Sequence, residues 1–210
     1  MKRLLTEKYR PINISDLILD IELQNILLNM IKLNKIPNII LYGPPGTGKT
    51  STALCIAHTI MEKKYYEECI LEINASDNRC LEDIENIITF CKKKTNSKKI
   101  VILDEADILT KKSLKIIENL LDMDIIFIFT CNSKKSIIES IQSRSTILLF
   151  NKISDNLIIN KLKYICKLEG HEEKNIDVNT IAILSNGDFR KAINLLELNI
   201  NDNNINKFNI

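Results

Sequence analysis

Short, nearly unbroken apolar runs alternate along the first 150 residues with segments whose apolar side chains return every three or four positions. Most of the runs 36–42, 69–75, 100–103, 125–130 and 146–150 are continuously apolar and rich in Ile and Val, without alternation. Strands of that kind are buried on both faces, as in a parallel sheet covered by helices on each side. The stretches 49–63, 81–94, 113–121 and 137–142 between them carry helical spacing. So does 16–33 ahead of the first run, where Leu17, Ile21, Gln24 and Leu28 recur three or four apart. Strand–helix alternation predicts an α/β fold, a five-stranded parallel sheet sandwiched by helices and joined by right-handed crossovers.

After residue 150 the strand signal stops. Helices are expected over 155–168, 179–185 and 188–198, the second capped by Asn179 or Thr180. The expected division is an α/β domain over 1–152 and a small helical domain over 153–198. A tail over 199–210, with six Asn in twelve residues, is expected to fray.

Composition narrows the class. The chain has 210 residues, 29 Lys+Arg against 27 Asp+Glu, and a formal charge of +2. With 45% hydrophobic residues, 5 Gly and 4 Pro, it is neither disordered nor collagen-like. No apolar run approaches the roughly 18 residues of a membrane span, so no membrane role is expected. Met1-Lys2-Arg3 meets charge too early for a secretory signal, and a soluble intracellular chain is the expectation. The six cysteines form no C-x-x-C pair, and His58 and His171 stand far apart, which favours buried reduced thiols over a metal site. Ile (39), Asn (24) and Lys (24) dominate, as codons rich in A and T would produce, and only 5 Arg remain. Each Arg therefore draws notice, because Lys cannot reproduce its planar fork.

Gly43-Pro44-Pro45-Gly46-Thr47-Gly48-Lys49-Thr50 fits G-x-x-x-x-G-K-[ST] in full, and it follows a predicted strand and precedes a predicted helix. Such glycines let successive N–H groups face phosphate oxygens, and the helix start that includes Ser51 adds its positive partial charge. Lys49 would neutralise the β- and γ-phosphates, and Thr50 would offer its hydroxyl to Mg²⁺. At the end of the third strand, Asp104 is placed to hold Mg²⁺ and Glu105 to orient the attacking water, while Asp107 reads as a cap. Asn132, at the end of the fourth strand, is either a γ-phosphate or water ligand or a plain turn residue. Four of the arginines, Arg10, Arg79, Arg144 and Arg190, lie at predicted element junctions, where phosphate recognition is the commonest need for that fork.

The blocks Glu7–Pro11 (EKYRP), 43–50, 72–79 (with INASDNR), 101–107 (LDEAD), 130–132, 142–144 (QSR) and 187–194 (GDFRKAIN) occur in an order that resembles a small subunit of replication factor C. That family comprises the AAA+ sliding-clamp loaders, and the blocks cover nearly the whole chain. The resemblance implies an AAA+ P-loop ATPase whose helical domain is a lid. It implies that Tyr9, Arg10 and Pro11 line the adenine end of the pocket, that Asn132 is the first sensor and that Arg190 is the second. Arg144 would be the arginine finger, acting on ATP bound to a neighbouring subunit, so that hydrolysis depends on assembly. The implied ligands are ATP and Mg²⁺. The implied partners are other loader subunits, a sliding clamp and primed double-stranded DNA, in the nucleus or in the cytoplasmic replication compartment of a large DNA virus.

Some positions depart from the family pattern. Cys80 stands where Gly is usual, Ser145 stands where Cys is usual, and Lys111-Lys112-Ser113-Leu114 lacks the Ala-Gln and Arg-Arg of that segment. The family's helical collar would begin where this chain stops, so the expectation is a loader subunit without one. A truncated or non-catalytic adaptor is the alternative. Another AAA+ protein of DNA metabolism, such as a replication initiator or branch-migration motor, fits EKYRP and SRS poorly. Lys92-Lys93-Lys94 with Lys98-Lys99 forms a basic cluster, either a DNA contact or a solvated loop, and Lys111-Lys112 forms a second.

Overall fold

The computed structural model describes residues 4–33, 36–77, 80–95, 97–171 and 176–206; Arg79 and the last four residues of the tail lie outside them. Two units share the chain, one formed by Ile12–Gly43 and Lys49–Phe150, the other by the described parts of Met1–Pro11, Pro44–Gly48 and Asn151–Ile210. The division is therefore not one cut near residue 152, because two upstream segments pack with the C-terminal helices.

The larger unit is built on five parallel strands: β1 (Asn38–Tyr42), β2 (Ile70–Asn74), β3 (Lys99–Asp104), β4 (Ile125–Cys131) and β5 (Ser145–Leu149), in the order β2-β3-β4-β1-β5. Side chains alternate between two apolar layers. Ile39, Leu41, Ile100, Ile102, Ile126 and Ile128 pack on one face with α2 (Ile21–Lys32) and α3 (Lys49–Ile60). Ile40, Val101, Leu103, Phe127 and Phe129 pack on the other with α5 (Cys80–Lys92), α6 (Lys111–Leu120) and α7 (Glu139–Gln142). Burial on both sides is why the central strands β1, β3 and β4 read as continuous apolar runs, whereas the edge strands β2 and β5 are only partly buried.

The smaller unit is helical: α1 (Leu5–Lys8), α8 (Asp155–Leu168), α9 (Val178–Ser185) and α10 (Phe189–Asn206). Leu5, Ile158, Leu162, Ile165, Ile181, Ala192, Ile193 and Leu196 supply its buried apolar side chains.

Several boundaries differ from the sequence pattern for local reasons. The segment expected as one helix over 16–33 breaks, because Asn13 and Asp16 cap a single 3₁₀ turn (Ile14–Asp16) and Leu17 is extended, so α2 starts at Ile21. The helix expected over 49–63 stops at Ile60; Tyr66, in the one-turn helix α4 (Tyr66–Cys69), donates its hydroxyl to the His58 carbonyl at 2.9 Å and stacks on that ring. α9 is capped by Asp177, which accepts the N–H groups of Asn179 and Thr180, and not by either of those residues. Those bonds, with the Thr180 hydroxyl donating to Asp177 as the largest influence, hold the Asp177 carboxyl below its usual range. The tail expected to fray from residue 199 continues α10 to Asn206, and Ile200 is buried.

Candidate functional site

β4 pairs with β1 on one side and β3 on the other, so the residues that follow these three strands leave the same sheet edge side by side. In open parallel sheets the carboxyl edge is where ligands bind. Gly43 follows β1 directly, its N–H donating to the Cys131 carbonyl at 3.2 Å. Its φ is +148°, and a Cβ there would lie 2.0 Å from the Phe150 carbonyl oxygen, so no other residue fits.

Lys49 opens α3 and is only 9% exposed. Its ammonium donates to the Gly43 carbonyl at 2.8 Å and reaches Asn132 Oδ1 at 3.5 Å. A buried cation needs such oxygen partners, and phosphate oxygens are stronger ones. Ser51 follows Thr50 within the first turn of α3. Thr50 Oγ1 donates to Asp104 Oδ1 at 2.8 Å, and the Thr130 hydroxyl donates to the same oxygen. Thr130, 2% exposed, also accepts the Glu105 N–H at 3.1 Å. One hydroxyl therefore ties the two acidic residues together.

Glu105 is exposed and has φ +52°. That left-handed conformation costs a residue with a Cβ about 1–2 kcal/mol, and the Thr130 bond holds the peptide in it. Asn132 follows β4. Its backbone N–H and Nδ2 both donate to Asp107 Oδ2 at 3.3 Å. Asp107 is thus not the expected cap; it sits inside the 3₁₀ turn Ala106–Ile108 and its carboxylate serves Asn132. The thiol of Cys131 is buried and feels the charges of both Asp107 and Lys49. Burial first, with the Asp107 charge adding and Lys49 opposing, pushes it up to about 12.

The pair Thr50 and Asp104 suits Mg²⁺. Both are hard oxygen donors, and their 2.8 Å separation is close to the ~3 Å between adjacent oxygens in octahedral coordination at ~2.1 Å.

Arg144 sits just after α7, and its Nη1 pairs with Asp122 Oδ1 at 2.9 Å. In the smaller unit, the loop residue Thr47 is 2% exposed and donates its hydroxyl to the Pro44 carbonyl at 2.9 Å, while Pro45 is exposed and Gly48 has φ +93°. Gly46 has φ +69°, accepts the Phe189 N–H at 3.0 Å, and lies so near Asp188 that a Cβ would be 1.8 Å from its Oδ1. Asp188 in turn accepts the Lys191 N–H at 2.9 Å and so caps α10, on which Arg190 is exposed. Tyr9 donates its hydroxyl to Glu169 Oε1 at 2.6 Å, where Lys8 also binds. Burial first, then the bond to Glu169 and its charge, pushes the Tyr9 phenol up to about 12. Arg10 is exposed and Pro11 half-buried.

One basic cluster loses a member. Lys99 is 5% exposed, and its ammonium donates to the carbonyls of Phe90 (2.6 Å), Cys91 (3.1 Å) and Lys93. It terminates α5 and is not available to DNA. Lys93 remains exposed and pairs with Glu68 at 3.6 Å. Sequence reasoning also missed Thr130, Asp122 and Glu169 as partners of the candidate residues. Only Thr130 carried a signal, lying two positions before Asn132.

Residues 39–152 match the model of the ATPase family associated with various cellular activities (AAA). The chain belongs to that AAA family of ATPases. A protein of Acanthamoeba polyphaga mimivirus, provisionally named a replication factor C small subunit, is 41% identical over 197 residues, covering 91% of this chain and 61% of that protein. Replication factor C subunit 4 of Saccharomyces cerevisiae is 38% identical over 199 residues, again 91% of this chain and 61% of the relative. The chain thus spans about three fifths of the length of these relatives. The Thermotoga maritima RuvB Holliday junction branch migration motor superposes with a TM-score of 0.71 at 19% identity, covering 90% of this chain and 64% of that one, which shows the shared fold alone.

Proposed function

We propose that this chain is an ATP-hydrolysing subunit of a DNA sliding-clamp loader, acting in replication with other loader subunits, a sliding clamp and primed double-stranded DNA. The observation that carries the reading is the convergence of Lys49, Thr50, Asp104, Glu105 and Asn132 on one sheet edge, in a chain whose relatives are named replication factor C subunits.

In this reading the loop 43–50 and Lys49 take the phosphates of ATP, and Thr50 and Asp104 hold Mg²⁺. An ion held by these two side chains would supply positive charge against that of the phosphates. Glu105 orients the attacking water and accepts its proton. Asn132 distinguishes the γ-phosphate by a hydrogen bond. Arg144 completes the transition-state charge on ATP held by a neighbour, which makes turnover depend on assembly. Tyr9, Arg10, Pro11 and Arg190 take the adenine-side and second-sensor roles that the sequence resemblance assigns. Relatives in yeast and in a large DNA virus support work in the nucleus or in a viral replication compartment.

The test is affinity purification of the tagged chain from its own source in ATP, with mass spectrometry and an ATPase assay. Recovery of a clamp and other loader subunits, with DNA-stimulated hydrolysis, supports the reading. Recovery of a monomer without partners, or of partners without stimulation, overturns it.

A further inference from the structure

We propose that Asp107 is a positioning residue for nucleotide discrimination, acting through Asn132; the inference rests on the ATP reading above. One carboxylate oxygen, Asp107 Oδ2, accepts both the backbone N–H and the side-chain Nδ2–H of Asn132, each at 3.3 Å. The opposite end of that amide, Oδ1, lies 3.5 Å from the Lys49 ammonium. The amide therefore bridges an anion and a cation, and its polarity has one favourable sense. A flipped amide would set its NH₂ against an ammonium and its oxygen against a carboxylate. Asp107 thereby fixes which atom of Asn132 faces Lys49, the residue that the reading assigns to the β- and γ-phosphates.

A purely structural role explains less. The turn that carries Asp107 is already closed by backbone bonds, Ile108 N–H to the Glu105 carbonyl and Leu109 N–H to the Ala106 carbonyl. The second carboxylate oxygen, Asp107 Oδ1, is buried without a hydrogen-bond partner. A buried acceptor left unpaired disfavours the folded state. The bonds that Oδ2 accepts from Asn132 are what offset that cost. The charge is accounted for by what Oδ2 does to Asn132.

The test measures affinities of the purified chain for MgATP and MgADP by fluorescent-nucleotide competition. The variants are Asp107→Ala, Asn132→Ala, the double variant and Asp107→Asn. The expected result is a loss of ATP-over-ADP preference of about five- to tenfold in Asp107→Ala, with ADP affinity unchanged. Asn132→Ala shows the same loss, the double variant loses no more, and Asp107→Asn, which keeps an acceptor, retains most of the preference. If the alanine variant does not fold, Asp107→Leu supplies a side chain branched at the same atom, larger but without an acceptor, and gives the same reading.

An unchanged ratio in Asp107→Ala overturns the inference. So do additive losses in the double variant, or equal weakening of both nucleotides. A wild-type chain that binds neither nucleotide overturns the ATP reading itself and this inference with it, an outcome separate from normal wild-type binding with an unaltered variant.

Discussion

Arg144 is held within its own chain by Asp122, Nη1 to Oδ1 at 2.9 Å, with the two side chains 45% and 75% exposed. An ion pair so open to water is worth about 0–1 kcal/mol. It restrains the guanidinium without committing it. Asp122→Asn should therefore move Tm by no more than about 3 °C. Arg144→Ala should leave nucleotide binding by its own chain intact yet lower hydrolysis in the reconstituted assembly by about a thousandfold. Single-chain calorimetry and assembly turnover check the two statements separately. A large stability loss in Asp122→Asn would make the pair structural.

Thr130 is the hinge between the two acidic residues, donating to Asp104 and accepting from the Glu105 N–H. Thr130→Val keeps the shape but leaves that N–H unpaired. The expected loss is about 1–3 kcal/mol in urea unfolding, while Thr130→Ser stays near wild type. Equal stability of the Val and wild-type proteins would refute the tie.

The Tyr9 phenol is raised from 10.0 to about 12, by burial first and then by Glu169. Because the folded value lies above the unfolded one, its stabilisation is complete below about pH 10 and is lost as pH rises through about 12. The difference in absorbance at 295 nm between wild type and Tyr9→Phe should titrate with a midpoint near 12. A midpoint near 10 would mean that the Glu169 contact does not form in solution.

The thiols of Cys55, Cys69, Cys91, Cys131 and Cys166 are buried. Burial first raises Cys91 to about 11, against the opposing Lys99 charge, and Cys131 to about 12. In native protein at pH 8 these five should resist a disulfide reagent and should react once urea unfolds the chain. Rapid native labelling of Cys131 would show that the strand edge beside Lys49 opens.

The parallel sheet and the phosphate loop were legible because they depend on local pattern: apolar runs buried on two faces, and a loop whose residue types are set by phosphate geometry. What was not legible depends on contacts between distant residues. Lys99 looks like surface charge until its stem folds back onto the end of α5. Asp107 looks like a helix-start cap because its partner, Asn132, lies 25 residues on. The Asn-rich stretch after residue 199 looks frayed because low helix propensity is visible in sequence, whereas the packing of Leu196 and Ile200 that extends α10 is not.

The most direct measurement is a titration of the purified chain with MgATP, wild type beside Lys49→Ala and Glu105→Gln. Wild type and Glu105→Gln should bind with comparable affinity, and Lys49→Ala should bind at least about a hundredfold more weakly, since a buried charged partner of the phosphates is lost. In the assembly, Glu105→Gln should bind ATP and fail to hydrolyse it. Unaltered binding by Lys49→Ala, or normal turnover by Glu105→Gln, would contradict the assignment of this sheet edge as the ATPase centre.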